Sequence, residues 1–419
     1  MTRILPPWAQ ELLDSHPEGA RPSQADPMPA WLESELARVP LWARIRRTSE
    51  IRQGHPFLLI EDLRMQPDLM RQVLDLRSEL AALAHRLIDQ GIRHLVFTGC
   101  GSAFHSSQFG SFICRKWSGW TTESHDSLEF THHWSEGHEP TAVVLQSATG
   151  STAETIDAAR QASAQGLATV ALTNTSGSAL ESLCDETICF PTGQRCGPAV
   201  SVLTTRLMML YVLALEVGAA TGALGVHEAD ELGDAISVIP DAAAEFLREE
   251  DLNVSQIANA LNDQEALLTV GGGPNWFSAR EGALKIEEES SLLCKAYRPA
   301  GYLHNAIPVL SDKVGTVVIA PPGKAYERVH DVVRTARAAR SPSLALVVEG
   351  DEAIAPDASF VIAVPGPIGE LLMPPLAAVA FQLLGYYLGA ERGVNPDTLR
   401  SEDLDHARAW LTAFPFGSQ

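Results

Sequence analysis

The chain has 419 residues, 45% of them apolar, and carries 52 acidic against 31 basic side chains for a formal net charge of −21. That length points to about two domains of roughly 100–200 residues each. So acidic a surface repels phosphate backbones and anionic lipid, which argues against nucleic acid and membranes as partners.

Six cysteines, Cys100, Cys114, Cys184, Cys189, Cys196 and Cys294, are sparse for a disulfide scaffold. Cys184, Cys189 and Cys196 lie close together but form no CxxC pair and have no histidine at ligand spacing, so buried free thiols are expected rather than zinc. The N-terminal stretch lacks the apolar run of a signal peptide, and apolar segments such as Leu207–Leu215 fall short of the ~20 residues of a membrane span. The expected protein is soluble and cytoplasmic.

Residues 1–56, rich in Pro and Trp (Trp8, Trp31, Trp42), read as an arm with short helices packed on the main body. A helix is expected at about 66–90, where Leu69, Val73, Leu80, Leu83 and Leu87 recur at the helical period. Short apolar runs then alternate with helical stretches. His94–Thr98 ends in Gly99-Cys100-Gly101-Ser102, and Ala142–Gln146 ends in Ser147-Ala148-Thr149-Gly150-Ser151-Thr152. Ala168–Thr173 and Glu186–Phe190 follow. After a helix-rich connector the plan recurs. Ala266–Val270 ends in Gly271-Gly272-Gly273-Pro274, a long helix covers about Trp276–Leu293, and strands are expected at Thr316–Ala320, Ser343–Val348 and Ser359–Val364 before a closing helix at Pro374–Leu388. Alternating strands and helices mean parallel sheets with helices on both faces, and continuously apolar strands mean burial on both sides. The reading is α/β, two tandem doubly wound units, divided as 1–56, 57–218, 219–250 (a helical connector) and 251–415.

In such sheets ligands sit at the carboxyl ends of the strands. The loop Ser147–Thr152 opens a helix and combines hydroxyls with unpartnered first-turn amides, a cradle for phosphate that needs no lysine. The same residues also serve as a plain helix cap. The loop lacks the Walker pattern, and Gly271-Gly272-Gly273 lacks the dinucleotide spacing. On the helix around Arg280–Glu289, Glu281, Lys285 and Glu288 at i, i+4 and i+7 share one face. A carboxylate beside a lysine suits a general base; a solvated salt-bridged face has the same spacing. His304 follows in a loop and could move protons near neutral pH.

Together these stretches resemble the sugar isomerase (SIS) domain family in its double-domain form, over about residues 57–400. That family includes the isomerase half of glucosamine-6-phosphate synthase, glucosamine-6-phosphate deaminases and fructoselysine-6-phosphate deglycase. Asp62…Gln66-Pro67 is similar to the family's first helix motif. Gly99–Ser102 and Ser147–Thr152 are similar to its two phosphate loops, which puts Ser102, Ser147, Thr149 and Thr152 on phosphate-binding positions. Glu281-Gly282-Ala283-Leu284-Lys285 resembles its catalytic helix nearly letter for letter. The resemblance then places Glu288 on the catalytic base, Lys285 beside it to hold it and lower its pKa, and His304 on the ring-opening histidine.

The chain departs from the family at Ala103 and Ala148, at Gly301 where the family has glutamate, and at Ser401 where the synthase has its imine-forming lysine. Synthesis of glucosamine 6-phosphate from glutamine is therefore not expected. What the resemblance implies is an isomerase, deaminase or deglycase on a 6-phosphorylated amino or Amadori-type sugar. The reaction would move a proton between C1 and C2 through an enediol or enolamine, with no metal or organic cofactor, in a homodimer whose histidine crosses to the neighbouring site. The alternative is a non-catalytic sugar-phosphate sensor.

Overall fold

The computed structural model describes residues 52 and 54–413, except 136–139, 194 and 195. Of the expected N-terminal arm at 1–56, residues 1–51 and 53 lie outside the described residues.

Two helices, α1 (Leu59–Leu74) and α2 (Arg77–Asp89), lead into a first sheet. They were expected as one helix, but the chain turns at Asp75–Leu76, so each can lay its own apolar face on the core. The sheet contains β1 (His94–Gly99), β2 (Thr121–Asp126), β3 (Thr141–Gln146), β4 (Ala168–Thr173) and β5 (Glu186–Cys189). Between them run α3 (Ser102–Trp117), α4 (Ser127–His133), α5 (Ala153–Ala164) and α6 (Ala179–Leu183). Helices α7 (Ser201–Thr221), α8 (Val226–Ser237), α9 (Ile239–Glu249) and α10 (Asp251–Leu261) connect to a second sheet of β6 (Ala266–Val270), β7 (Leu293–Tyr297), β8 (Val314–Ala320), β9 (Ser343–Val348) and β10 (Phe360–Val364). Its helices are α11 (Asn275–Ser290), α12 (Pro299–Asn305), α13 (Tyr326–Ala338) and α14 (Met373–Glu391), and α15 (Leu404–Ala413) follows.

All strand pairs are parallel, in the orders β2-β1-β3-β4-β5 and β10-β9-β8-β6-β7. Numbered within its own half, each sheet reads 2-1-3-4-5, so the two halves repeat one doubly wound topology.

Successive strand residues point to opposite faces, and here each face meets its own apolar cluster. Leu95 and Phe97 of β1 and Val317 and Ile319 of β8 face one continuous core running through both halves. Val96 faces a separate cluster with α5, and Val318 another with α13. That explains the unbroken apolar strands. Helix α7 is long and apolar enough to cross a membrane, but 89% of that window is buried inside the fold, as a core helix requires.

The second strand of each sheet, β2 and β7, was not foreseen. Thr121–Asp126 (TTESHD) is an edge strand with little apolar content, and Leu293–Tyr297 (LCKAY) starts within three residues of a helix end. Of the cysteines, Cys114, Cys196 and Cys294 are buried, but Cys189 is exposed because β5 is an edge strand.

Candidate functional site

The topological switch point of the first sheet lies between β1 and β3. The loops leaving these two strands are Gly99–Ser102 and Ser147–Thr152. In the second loop, Ser147 Oγ lies 3.0 Å from Thr152 Oγ1 and 3.5 Å from Thr149 Oγ1, and it accepts the Gly150 amide at 3.1 Å. Thr149 Oγ1 accepts from both the amide and the hydroxyl of Ser151. Gly150 sits at φ +63°, and a Cβ there would come within 2.2 Å of Ser178 Oγ, so only glycine makes this turn. Thr152 is the N-cap of α5, yet no side chain caps that helix, which leaves its first-turn amides facing the hydroxyl cluster.

Helix α11 carries the second group across the seam between the domains. It packs against α14 so closely that a Cβ on Gly282 would strike the Phe381 ring at 2.5 Å. Glu281 is its hub. Ser102, at the start of α3, donates to Glu281 Oε1 at 2.8 Å, and His105, one turn later, lies with Nδ1 at 2.7 Å from Oε2. Lys285 Nζ is 3.5 Å from Glu281 Oε1 and donates to Glu288 Oε2 at 2.5 Å. Lys285 and Glu281 are almost sealed, with 1% and 3% of their side chains exposed, while Glu288 keeps 24% open.

Burial would push the Glu281 carboxyl up, but Lys285, His105 and Ser102 reverse this and hold it near 2. Lys285 opposes its own burial through Glu288 and Glu281, which hold its ammonium charged. For Glu288 the balance runs the other way. Burial raises its pKa above the ordinary carboxylate range, Lys285 pulls it down, and Glu281 adds to the rise. The resemblance implied a lowered value; desolvation outweighs the lysine. A carboxyl moved toward neutrality is better matched to proton transfer at C–H than an ordinary one.

The expected site residues thus fall into three places. Ser147, Thr149 and Thr152 cluster at the switch point. Ser102 is committed to Glu281 and, with Lys285 and Glu288, forms a chain along α11. His304 is exposed at the end of α12, and among the described residues no hydrogen bond joins it to either group. Beside Glu288 lies a cavity of about 610 Å³, walled by the C-terminal end of α11 and by residues 399–413. His105 and the cavity residues Arg400, His406 and Trp410 were not singled out from the sequence.

Residues 88–216 match the SIS domain family. The chain is 29% identical over 376 residues to the glutamine–fructose-6-phosphate aminotransferase [isomerizing] of Gloeobacter violaceus, covering 86% of this chain and 61% of that relative. It therefore spans about three fifths of the length of that curated relative. Among solved structures, the C-terminal domain of glucosamine-fructose-6-phosphate aminotransferase from Francisella tularensis superposes with a TM-score of 0.75 at 18% identity, over 82% of this chain and 98% of that one. Glucosamine-6-phosphate deaminase from Thermotoga maritima does so with a TM-score of 0.59 at 18% identity, over 78% and 96%. At these identities the likeness shows the fold, and the same sheet order recurs in both halves of this chain. Residues 88–216 are thus a SIS domain, and the chain is homologous to the isomerase half of the glutamine–fructose-6-phosphate aminotransferases.

Proposed function

We propose that the protein is an enzyme acting on a 6-phosphorylated ketose or its amino or Amadori-type derivative by moving a proton between C1 and C2. The observation that carries this reading is the Lys285–Glu288 pair at 2.5 Å, in which the lysine is sealed and the carboxylate lines a cavity. The hydroxyl loop on the neighbouring domain supplies a phosphate cradle despite the chain's acidity.

In this reading the phosphate sits on Ser147, Thr149, Thr152 and the first-turn amides of α5, and Ser102 turns from Glu281 to the ligand. Glu288, its raised pKa suited to taking and returning a proton, removes one from C1 and delivers one to C2. Lys285 steadies its charged form. His304 serves ring opening in the neighbouring subunit of a homodimer, consistent with its exposure and its isolation from Glu288 within one chain. The enzyme works in the cytoplasm without a cofactor. The domain division at 57–218 and 251–415 belongs to the same reading, each unit carrying one sheet.

Glu288→Gln tests it. Binding of fructose 6-phosphate or glucosamine 6-phosphate, read as a rise in melting temperature, should persist while turnover falls by roughly 10²–10⁴-fold. A wild type that binds but never turns over, with the variant indistinguishable from it, would identify a sensor instead.

A further inference from the structure

Arg206, on the first turns of α7, is buried with 1% of its surface exposed. Burial lowers its pKa to about 10, with Glu281 opposing, so the guanidinium is charged at neutral pH. Lys285, equally buried, is matched by contacts with Glu281 and Glu288. Arg206 is not matched. Among the described residues it has no ion-pair partner, Nε and Nη2 have no hydrogen-bond partner, and Nη1 reaches only Ser106 Oγ, at 3.5 Å. Its neighbours on α7 are satisfied: Thr204 donates to Gln66 at 2.6 Å and Thr205 to the Ser201 carbonyl at 2.7 Å. A buried charge left without partners is costly, and its retention in a native fold calls for a reason.

Its place in the fold supplies one. The Phe190 ring lies 5.8 Å from the guanidinium carbon; Phe190 follows β5 directly, and its amide donates to the Thr173 carbonyl at the end of β4. Ser106 stands one turn after Ser102 on α3, and its hydroxyl donates to Gln146 Oε1 at 2.9 Å. Gln146 is the last residue of β3, directly before Ser147. Through Ser106, Arg206 is thus joined to Ser102 by one turn of helix and to Ser147 by one hydrogen bond and one peptide link. The guanidinium sits at the carboxyl ends of the strands, behind the switch point where an anion on Ser147, Thr149 and Thr152 would rest. The hydroxyls and amides of that loop carry no formal charge. The full positive charge tied to them and not already neutralised is Arg206.

Resting on the phosphosugar reading above, we infer that Arg206 is the buried counter-charge of the phosphate site, a positioning residue that selects phosphate monoesters over singly charged esters such as sulfates. It acts through space and through Ser106, without touching the ligand. A phosphate monoester carries close to two negative charges above its second pKa near 6, and a sulfate ester of the same shape carries one. A charge in a dry interior is little screened by salt, so its field reaches the ligand. Glu281 does not cancel that field, because Lys285 and His105 already share its carboxylate, at 3.5 and 2.7 Å. The arrangement lets a chain of net charge −21 hold a dianion without a lysine in the loop.

The test uses the full chain and a matched ligand pair, glucosamine 6-phosphate and glucosamine 6-sulfate, with dissociation constants read by calorimetry at pH 7.5. Wild type should prefer the phosphate by roughly 10-fold or more, the worth of one further unit charge about 10 Å from a cation at an effective dielectric constant near 20. Arg206→Met should lower that ratio by roughly 10-fold while leaving the sulfate affinity nearly unchanged. Arg206→Lys, which keeps the charge but not the fork, should keep most of the preference. Arg206→Gln repeats the neutral case with a polar side chain. Both neutral variants should fold, since they remove an unpaired buried charge rather than break a pair. A ratio that stays at the wild-type value in the neutral variants overturns the proposal. So does an equal loss on both esters, or failure of both neutral variants to fold, either of which assigns Arg206 to the structure alone. Equal affinity of wild type for the two esters also overturns it while leaving the phosphosugar reading intact. A wild type that binds neither ester nor fructose 6-phosphate sinks that reading itself.

Discussion

Replacing Glu281 by glutamine should make the fold's acid sensitivity measurable at one buried atom group. Glu281 is sealed at the seam between the domains, where Ser102 and His105 of α3 and Lys285 of α11 converge on it. Against its burial, these partners hold its pKa near 2 instead of the ordinary 4.5. At about 1.4 kcal/mol per pH unit this corresponds to ~3 kcal/mol of stability, within the range found when one partner of a buried ion pair is removed. Because the folded-state pKa lies below the unfolded one, the contribution is fully present above about pH 4.5 and drains away as pH falls toward 2. Urea denaturation of wild type and Glu281→Gln from pH 7 to pH 2.5 follows it, Glu288 and Glu289 being the carboxyls whose titration the lost Glu281 charge also lowers. Glu281→Gln should be less stable by ~3 kcal/mol at pH 7, and the gap should shrink steadily below pH 4.5. Two stability curves that run parallel across this range would refute the claim that Glu281 is held ionised by its partners.

Two further outcomes follow from the same geometry. Thr152→Val removes a hydroxyl from the switch-point cluster without changing side-chain shape, and should weaken binding of fructose 6-phosphate by about 5- to 10-fold in calorimetry; unchanged affinity would remove this loop from phosphate binding. Glu289 is fully buried, with only the Tyr386 amide approaching its carboxylate and no hydrogen bond of good geometry among the described residues, and burial raises its pKa far above the ordinary range. Its folded-state pKa being raised, the wild type loses stability as pH climbs from the ordinary carboxylate range toward that value. Glu289→Leu should therefore melt higher than wild type, by a margin that widens from pH 5 to pH 8; a variant less stable at pH 8 would show an unrecognised partner for this carboxylate.

What the sequence by itself determined was what short-range chemistry encodes. The apolar runs of β1, β3, β4, β8 and β9 were legible because both faces are buried, so nearly every residue must be apolar. Ser147–Thr152 was legible because a glycine turn and a hydroxyl-rich helix start are local motifs, and the Glu281/Lys285/Glu288 face was legible because the helical period sets it. Edge strands β2 and β7 were not, since a strand paired on one side tolerates polar residues that blur the pattern.

Tertiary structure decided the rest, because it joins residues that no local spacing relates. Ser102 and His105 reach Glu281 across 179 and 176 residues of sequence, and only the packing of α3 on α11 turns a helix that could have been a solvated ionic face into a sealed network. The same packing sets the sign of the Glu288 shift, since desolvation depends on what covers a carboxyl and not on the lysine three residues before it. It also brings Arg400, His406 and Trp410 to the cavity beside Glu288, more than a hundred residues away along the chain and unmarked there by any periodicity.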